Sequence, residues 1–211
     1  MAVDALPRSA RKRMAILDAA TTGFLRNGYL GTSMDEIAAL AGVSKQTVYK
    51  HFADKESLFT EIVTTTVKEA GDQAFGESLE LEDDADLELS LQKLARRLLA
   101  GVLQPKLMQL RRLVIGEVGR FPELGRIFYE SGFGRSVSTL APALERLAAR
   151  GSLDIEDPEL AATHFAWLVM SAPVGRAMLL GDDAIPSRAE LNRYADGGVR
   201  VFLAAYRVRS D

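Results

Sequence analysis

Between residues 45 and 51 the chain carries Lys45, Gln46, Thr47, Tyr49, Lys50 and His51, so ammonium, amide, hydroxyl, phenol and imidazole groups crowd into about two helical turns. At about 100° per residue, Val48 and Phe52 fall on one side of such a helix. Gln46, Thr47 and Lys50 project away from that side, and Lys45 and Tyr49 flank the outer face. A short helix fastened by Val48 and Phe52 exposes chemistry suited to a DNA major groove. An amide pairs bidentately with adenine, an ammonium meets guanine or phosphate, and a threonine methyl touches thymine. A solvated helix face carries the same polar residue types, and spacing alone leaves both readings open.

The flanking residues say how such a helix is held. Ser44 caps it at the N-terminus. Before it, Ser33 followed by Glu36 has the spacing of a capping box, which starts a short helix that buries Ile37, Ala38 and Ala41 and stops at Gly42. Two short helices joined by a tight glycine-containing turn are the pattern of a helix-turn-helix. Upstream, Ile16, Ala20 and Phe24 recur at four-residue spacing with Leu17 alongside, predicting a first helix over 9–27 that Gly28 stops. Downstream, Asp54 caps a fourth helix whose Leu58, Ile62 and Val63 share a side before Gly71 and Gly76 weaken it.

Helical periodicity continues to the end of the chain, and no alternating β-branched run reads as a strand. The expected fold is all-α: an N-terminal three-helix helix-turn-helix domain over 9–69 and a larger helical bundle over 70–208. The acidic stretch 77–88 is expected as a solvated loop or helix entry. Further helices are predicted at 87–103, 105–119, 122–131, 135–150, 158–180 and 188–206, with Pro105, Pro122 and Pro158 at first-turn positions. Pro142 and Pro173 should kink or divide two of them. Ser187 with Glu190 forms a second capping-box pattern.

Composition narrows the function classes. With no cysteine among 211 residues, thiolate catalysis, disulfides and iron–sulfur ligation are out, and two histidines leave little for metals; no metal and no cofactor is expected. The longest uncharged stretch, 160–175, contains His164 and Pro173 and reads as a buried helix rather than a membrane span. The basic start at Arg8, Arg11, Lys12 and Arg13 leads into an amphipathic pattern instead of an apolar run, so no export signal and a cytoplasmic location are expected. Net charge is −3, but residues 1–60 carry +2 and the remainder −5. A mildly basic head on an acidic body suits a nucleic-acid reader better than the total does.

The stretch GTSMDEIAALAGVSKQTVYKHFADKESLF, residues 31–59, closely resembles the DNA-binding signature of the TetR/AcrR family of bacterial transcriptional regulators. Segments 117–130, 144–151 and 157–162 resemble the AefR-like branch of that family's C-terminal domains. The resemblance implies a homodimer that binds a double-stranded DNA operator through the N-terminal unit and answers a small-molecule effector through the C-terminal one, with no membrane partner. It implies phosphate contacts from Thr32 and Ser33, groove entry by Lys45, Gln46 and Thr47 beside the capping Ser44, and phosphate or base contacts from Tyr49, Lys50 and His51. Lys55 falls at the family's backbone-contact position, where its cation and a helix N-terminus both face phosphate. Position 46 is commonly Gly or Ala in the family, and the larger Gln46 points either to operator-specific readout or to an altered approach of the backbone. The helices 158–180 and 188–206 are the expected dimer interface.

For an effector pocket the available polar, aromatic or bulky residues are Arg112, Phe128, Tyr129, Phe133, His164, Trp167, Leu168 and Met170. Most such residues are core, and His164 reads first as a satisfied interior histidine. Apolar excess favours a mostly hydrophobic effector. An enzyme finds little support: there is no G-x-S-x-G, H-E-x-x-H or P-loop, and no catalytic residue is expected. A helical adaptor that uses its helix-turn-helix for protein contacts is the other alternative. The function expected is a DNA-binding transcriptional regulator, a repressor released by its effector.

Overall fold

The computed structural model describes residues 7–76 and 87–208. Ten α-helices fill it: α1 (Arg8–Gly31), α2 (Met34–Leu40), α3 (Lys45–His51), α4 (Lys55–Phe75), α5 (Leu87–Val102), α6 (Pro105–Glu117), α7 (Pro122–Tyr129), α8 (Arg135–Ala149), α9 (Pro158–Leu180) and α10 (Arg188–Tyr206). The expected all-α class holds, and the one β pairing among the described residues is an isolated bridge between Leu153 and Arg207. Most of the acidic stretch, 77–86, lies outside the described residues.

Two compact units emerge, and they are not divided by a single cut at 69/70. One combines Met1–Thr66 with Gln109–Phe128; the other combines Val67–Met108 with Tyr129–Asp211. The cause in the first unit is aromatic. Phe24, Tyr29 and Phe59 meet with ring centroids 5.2–5.6 Å apart, and Phe121, from the α6–α7 turn, packs edge-on against Tyr29 at 4.9 Å.

In this unit α1 buries Ile16, Ala20 and Phe24 completely and breaks at Gly28, whose φ of 77° ends the regular turn. Gly42 has φ of 63° at the turn between α2 and α3. Ser33 accepts from the Glu36 amide as expected, but the reciprocal half of the capping box is replaced: Glu36 Oε1 accepts from Asn27 Nδ2 at 2.6 Å. The longer reach ties α2 to α1 instead of to its own first turn.

The second unit is built around α5, α8, α9 and α10, with α9 against both α8 and α10. Leu91, Leu94, Leu98, Leu144 and Phe165 are buried in it, and Phe165 meets Phe202 edge-on at 5.3 Å. Both α9 caps and starts follow the sequence: Asp157 accepts from the Leu160 amide ahead of Pro158. Ser187 and Glu190 complete a full capping box on α10. Pro142 and Pro173 divide neither α8 nor α9, which run through them. The predicted gap before residue 135 is filled by a π-helical turn, Glu130–Gly134, which continues α7 into α8.

Two glycines differ in what they permit. A Cβ on Gly101 of α5 would lie 2.7 Å from the Ala70 carbonyl oxygen of α4, whereas one on Gly116 of α6 meets nothing within 4 Å. Gly101→Ala is therefore expected to lower unfolding free energy by about 1–3 kcal/mol, because backbone must yield. Gly116→Ala should be neutral or stabilising by up to about 1 kcal/mol. Paired thermal and denaturant melts check both; equal melting of the two variants would contradict the close α4–α5 approach.

Candidate nucleic-acid interface

The helix α3 is fixed from one side. Val48 is fully buried and Phe52, its C-cap residue, nearly so. Over the Phe52 ring lies the Arg13 guanidinium, 5.0 Å from the centroid, and Arg13 also pairs with Glu61, so one side chain of α1 touches both the end of α3 and α4. Arg13 was not singled out by sequence; it stands in the basic run whose pattern suggested only charge.

On the opposite side Lys45, Gln46, Tyr49 and Lys50 are exposed, with Thr47 and His51 partly so. Gln46 and Lys50 have no side-chain bond to the described residues. Ser44 Oγ accepts from the Thr47 amide at 3.2 Å, and the two hydroxyls lie 2.8 Å apart, which starts the helix and orients Thr47. Lys45 Nζ sits 2.7 Å from an Asp35 carboxylate oxygen of α2, and this hydrogen bond raises its pKa. The same ammonium lies 6.0 Å from the centre of the Tyr49 ring. The face thus presents one amide and one ammonium unengaged, and a second ammonium shared with a carboxylate.

Two of the residues expected to contact phosphate make bonds within the chain. Thr32 is 1% exposed; its hydroxyl donates to the Gly28 carbonyl at 2.9 Å and its methyl fills the space that Gly23 leaves on α1. Lys55 turns inward. Its ammonium donates to the carbonyls of Tyr29 at 2.7 Å and Thr32 at 3.0 Å and lies 4.5 Å over the Tyr29 ring. Burial lowers its pKa, with Glu117 opposing the shift, while burial first and then Glu56, Asp54 and Glu117 raise that of Tyr29. The lysine ammonium satisfies two carbonyls that follow the Gly28 break. Ser33 remains exposed at the start of α2.

The eight pocket candidates do not form one group. Arg112 and Phe128 belong to the first unit and the other six to the second. Tyr129, Phe133 and Trp167 form a chain of rings with centroids 5.8 and 5.3 Å apart, with Tyr129 and Trp167 more than half exposed. His164 is exposed, not interior, and its Nδ1 lies 2.5 Å from the Tyr206 hydroxyl. Leu168 is exposed and Met170 is core. A polar cleft of about 630 Å³ between α5 and α10, lined by Glu88, Gln92, Glu190, Arg193, Tyr194, Asp196 and Arg200, contains none of the eight. No described helix is long and apolar enough to cross a membrane.

Comparison with known proteins decides what kind of molecule this is. A family model described as the AefR-like transcriptional repressor C-terminal domain matches residues 89–208, and one described as bacterial regulatory proteins of the tetR family matches residues 16–62. The chain belongs to the TetR family of transcriptional regulators. A TetR-family regulator structure from Mesorhizobium loti MAFF303099 is 45% identical, with 96% of this chain and 100% of that one covered and a TM-score of 0.85. The structure of the flavonoid-responsive regulator FrrA is 33% identical over 95% of this chain and 100% of that one, with a TM-score of 0.79. The HTH-type regulator YhgD of Bacillus subtilis (strain 168) is 47% identical over 66 residues, 31% of this chain and 35% of that protein. The chain matches less than half the length of the first curated relatives. TetR-family proteins are regulators and not enzymes, which removes the catalytic alternative, and the expected all-α helix-turn-helix architecture and AefR-like branch both stand.

The inward ammonium gives a test. Lys55→Met should lower stability by about 1–3 kcal/mol, the value of a hydrogen-bonded charge, and weaken DNA binding through misplacement of α2 and α3. The slope of log K against log salt should stay at the wild-type value, since each lost phosphate contact removes about 0.9 from it. A shallower slope with unchanged stability would return Lys55 to the phosphate-contacting set.

Proposed function

We propose that this TetR-family regulator is a homodimeric repressor that binds a pseudo-palindromic operator in the cytoplasm and releases it when a small, mostly hydrophobic effector binds. The observation that carries the reading face is the exposed set Lys45, Gln46, Tyr49 and Lys50 on a helix whose opposite side is pinned by Val48 and Phe52. Ser33, Ser44, Thr47 and His51 extend it toward the phosphates. Residues 9–69 serve as the DNA-binding region and 70–208 as the dimerising and effector-responsive one.

Dimerisation is supported by the second unit. Leu160, Trp167, Leu168 and Leu179 on α9 and Val201 on α10 are large apolar side chains at 40–86% exposure, a concentration that marks an interaction surface. Two copies joined there bring two α3 helices into successive major grooves when they lie about 34 Å apart. The repressor sign follows the description of the matched C-terminal domain, and the flavonoid-responsive relative supports a planar, largely apolar effector. Release is then a population shift between dimer geometries with different helix separations.

Selection from a random duplex pool, followed by anisotropy titration at several salt concentrations, tests this. The expected result is a two-fold-symmetric site with a steep negative salt slope. Tyr49→Ala and Lys50→Ala should each weaken binding to it by about 1–3 kcal/mol with melting temperature unchanged, and Gln46→Ala should relax base preference more than nonspecific affinity. Trp167→Glu should yield monomers by sedimentation. Enrichment of no sequence, with the fold intact, would favour an adaptor that uses the helix-turn-helix on protein.

A further inference from the structure

Arg111, next to the Arg112 that sequence singled out, is a partly buried cation with no carboxylate partner among the described residues. It stands on α6 between Leu110 and Val114, both buried, and is itself only partly accessible. Its guanidinium lies 5.6 Å from the centre of the Phe128 ring. Among the described residues no carboxylate pairs with it, and dehydration alone lowers its pKa, with no acidic neighbour acting the other way. By contrast, Arg13, Arg96, Arg126, Arg135 and Arg176 each pair with an Asp or Glu.

A guanidinium stays protonated wherever it is placed, so it cannot escape dehydration by losing its proton. The attraction of a phenyl face is weaker than the hydration the cation has given up, and a neighbouring anion is the usual remedy. The Phe128 ring covers one side of the group. The guanidinium's N–H groups have the fork geometry that offers two parallel hydrogen bonds to an oxyanion. The side chain is thereby preorganised as a half-made ion pair with an apolar floor.

From this geometry we infer that Arg111 is the anion-recognition group for the effector, which is an organic acid with an apolar body, bound by its carboxylate or phenolate at the guanidinium beside Phe128. The inference rests on the effector-responsive reading and sharpens it: the ligand is apolar in bulk but charged at one end. Arg112 does not serve in its place, because it already has an interaction within the chain.

The test uses the full chain and matched probes: salicylate, p-coumarate and 2-naphthoate, each with its methyl ester. Thermal shift reads binding and release of labelled operator reads response. On the wild type, at least one acid should raise the melting temperature and outperform its ester roughly tenfold or more in midpoint concentration, the value of one charge-assisted bond. Arg111→Met should erase the preference, and Arg111→Lys should keep part of it, since the charge survives while the fork is lost. An ester as effective as its acid, an acid preference that survives in Arg111→Met, or no shift with any acid overturns the assignment. Release of operator by the neutral esters alone leaves the effector-responsive reading standing and fails only the acid. Acid binding without operator release fails the effector-responsive reading instead.

Discussion

The ammonium of Lys55 sits between the carbonyls of Tyr29 and Thr32, above the face of the Tyr29 ring. The geometry of the DNA-reading unit depends on it. The backbone of α1 departs from helical geometry at Gly28, and α2 begins at Met34, only a few residues later. Thr32 closes one carbonyl at Gly28 and Lys55 closes two more, at Tyr29 and Thr32, so side chains bond three carbonyls of the short connection. A charge held inward on α4 thus fixes where α2 starts, and α2 in turn fixes α3.

Around that point the apolar and polar contacts have separate tasks. Phe24, Tyr29, Phe59 and Phe121 provide the buried mass, drawing residues 109–128 into the first unit from far along the chain. Arg13 and Asn27 provide direction, one reaching Glu61 and Phe52 and the other reaching Glu36. What remains for α3 is small: one fully buried valine and a capping phenylalanine suffice to hold it, which leaves most of its surface for a partner.

The helices α9 and α10 carry a double demand. Gly198 lets α10 approach the Leu168 carbonyl so closely that an added Cβ would lie 3.0 Å from its oxygen. That close crossing buries Phe165, Val169 and Phe202 within the chain while Trp167, Leu168 and Val201 stay outside. A helix apolar on all sides, as α9 is, reads from sequence simply as buried; here one side is core and the other is open.

Much of this was legible in the sequence because it is local. Helix starts at Ser44, Asp157 and Ser187, the break at Gly28 and the anchoring role of Val48 depend on side chains within four residues of the backbone groups they satisfy, and short-range chemistry survives being read along a line. The signature at 31–59 named the family for the same reason: it records a chain of such local requirements. What the line did not hold was direction and pairing. Whether Lys55 points to solvent or to Tyr29, whether Glu36 bonds Ser33 or Asn27, and whether Arg111 finds a carboxylate are decided by groups from elsewhere in the fold. Tertiary structure decides them, because a long flexible side chain takes whichever partner the packing brings within about 3 Å and residue type alone does not say which that is.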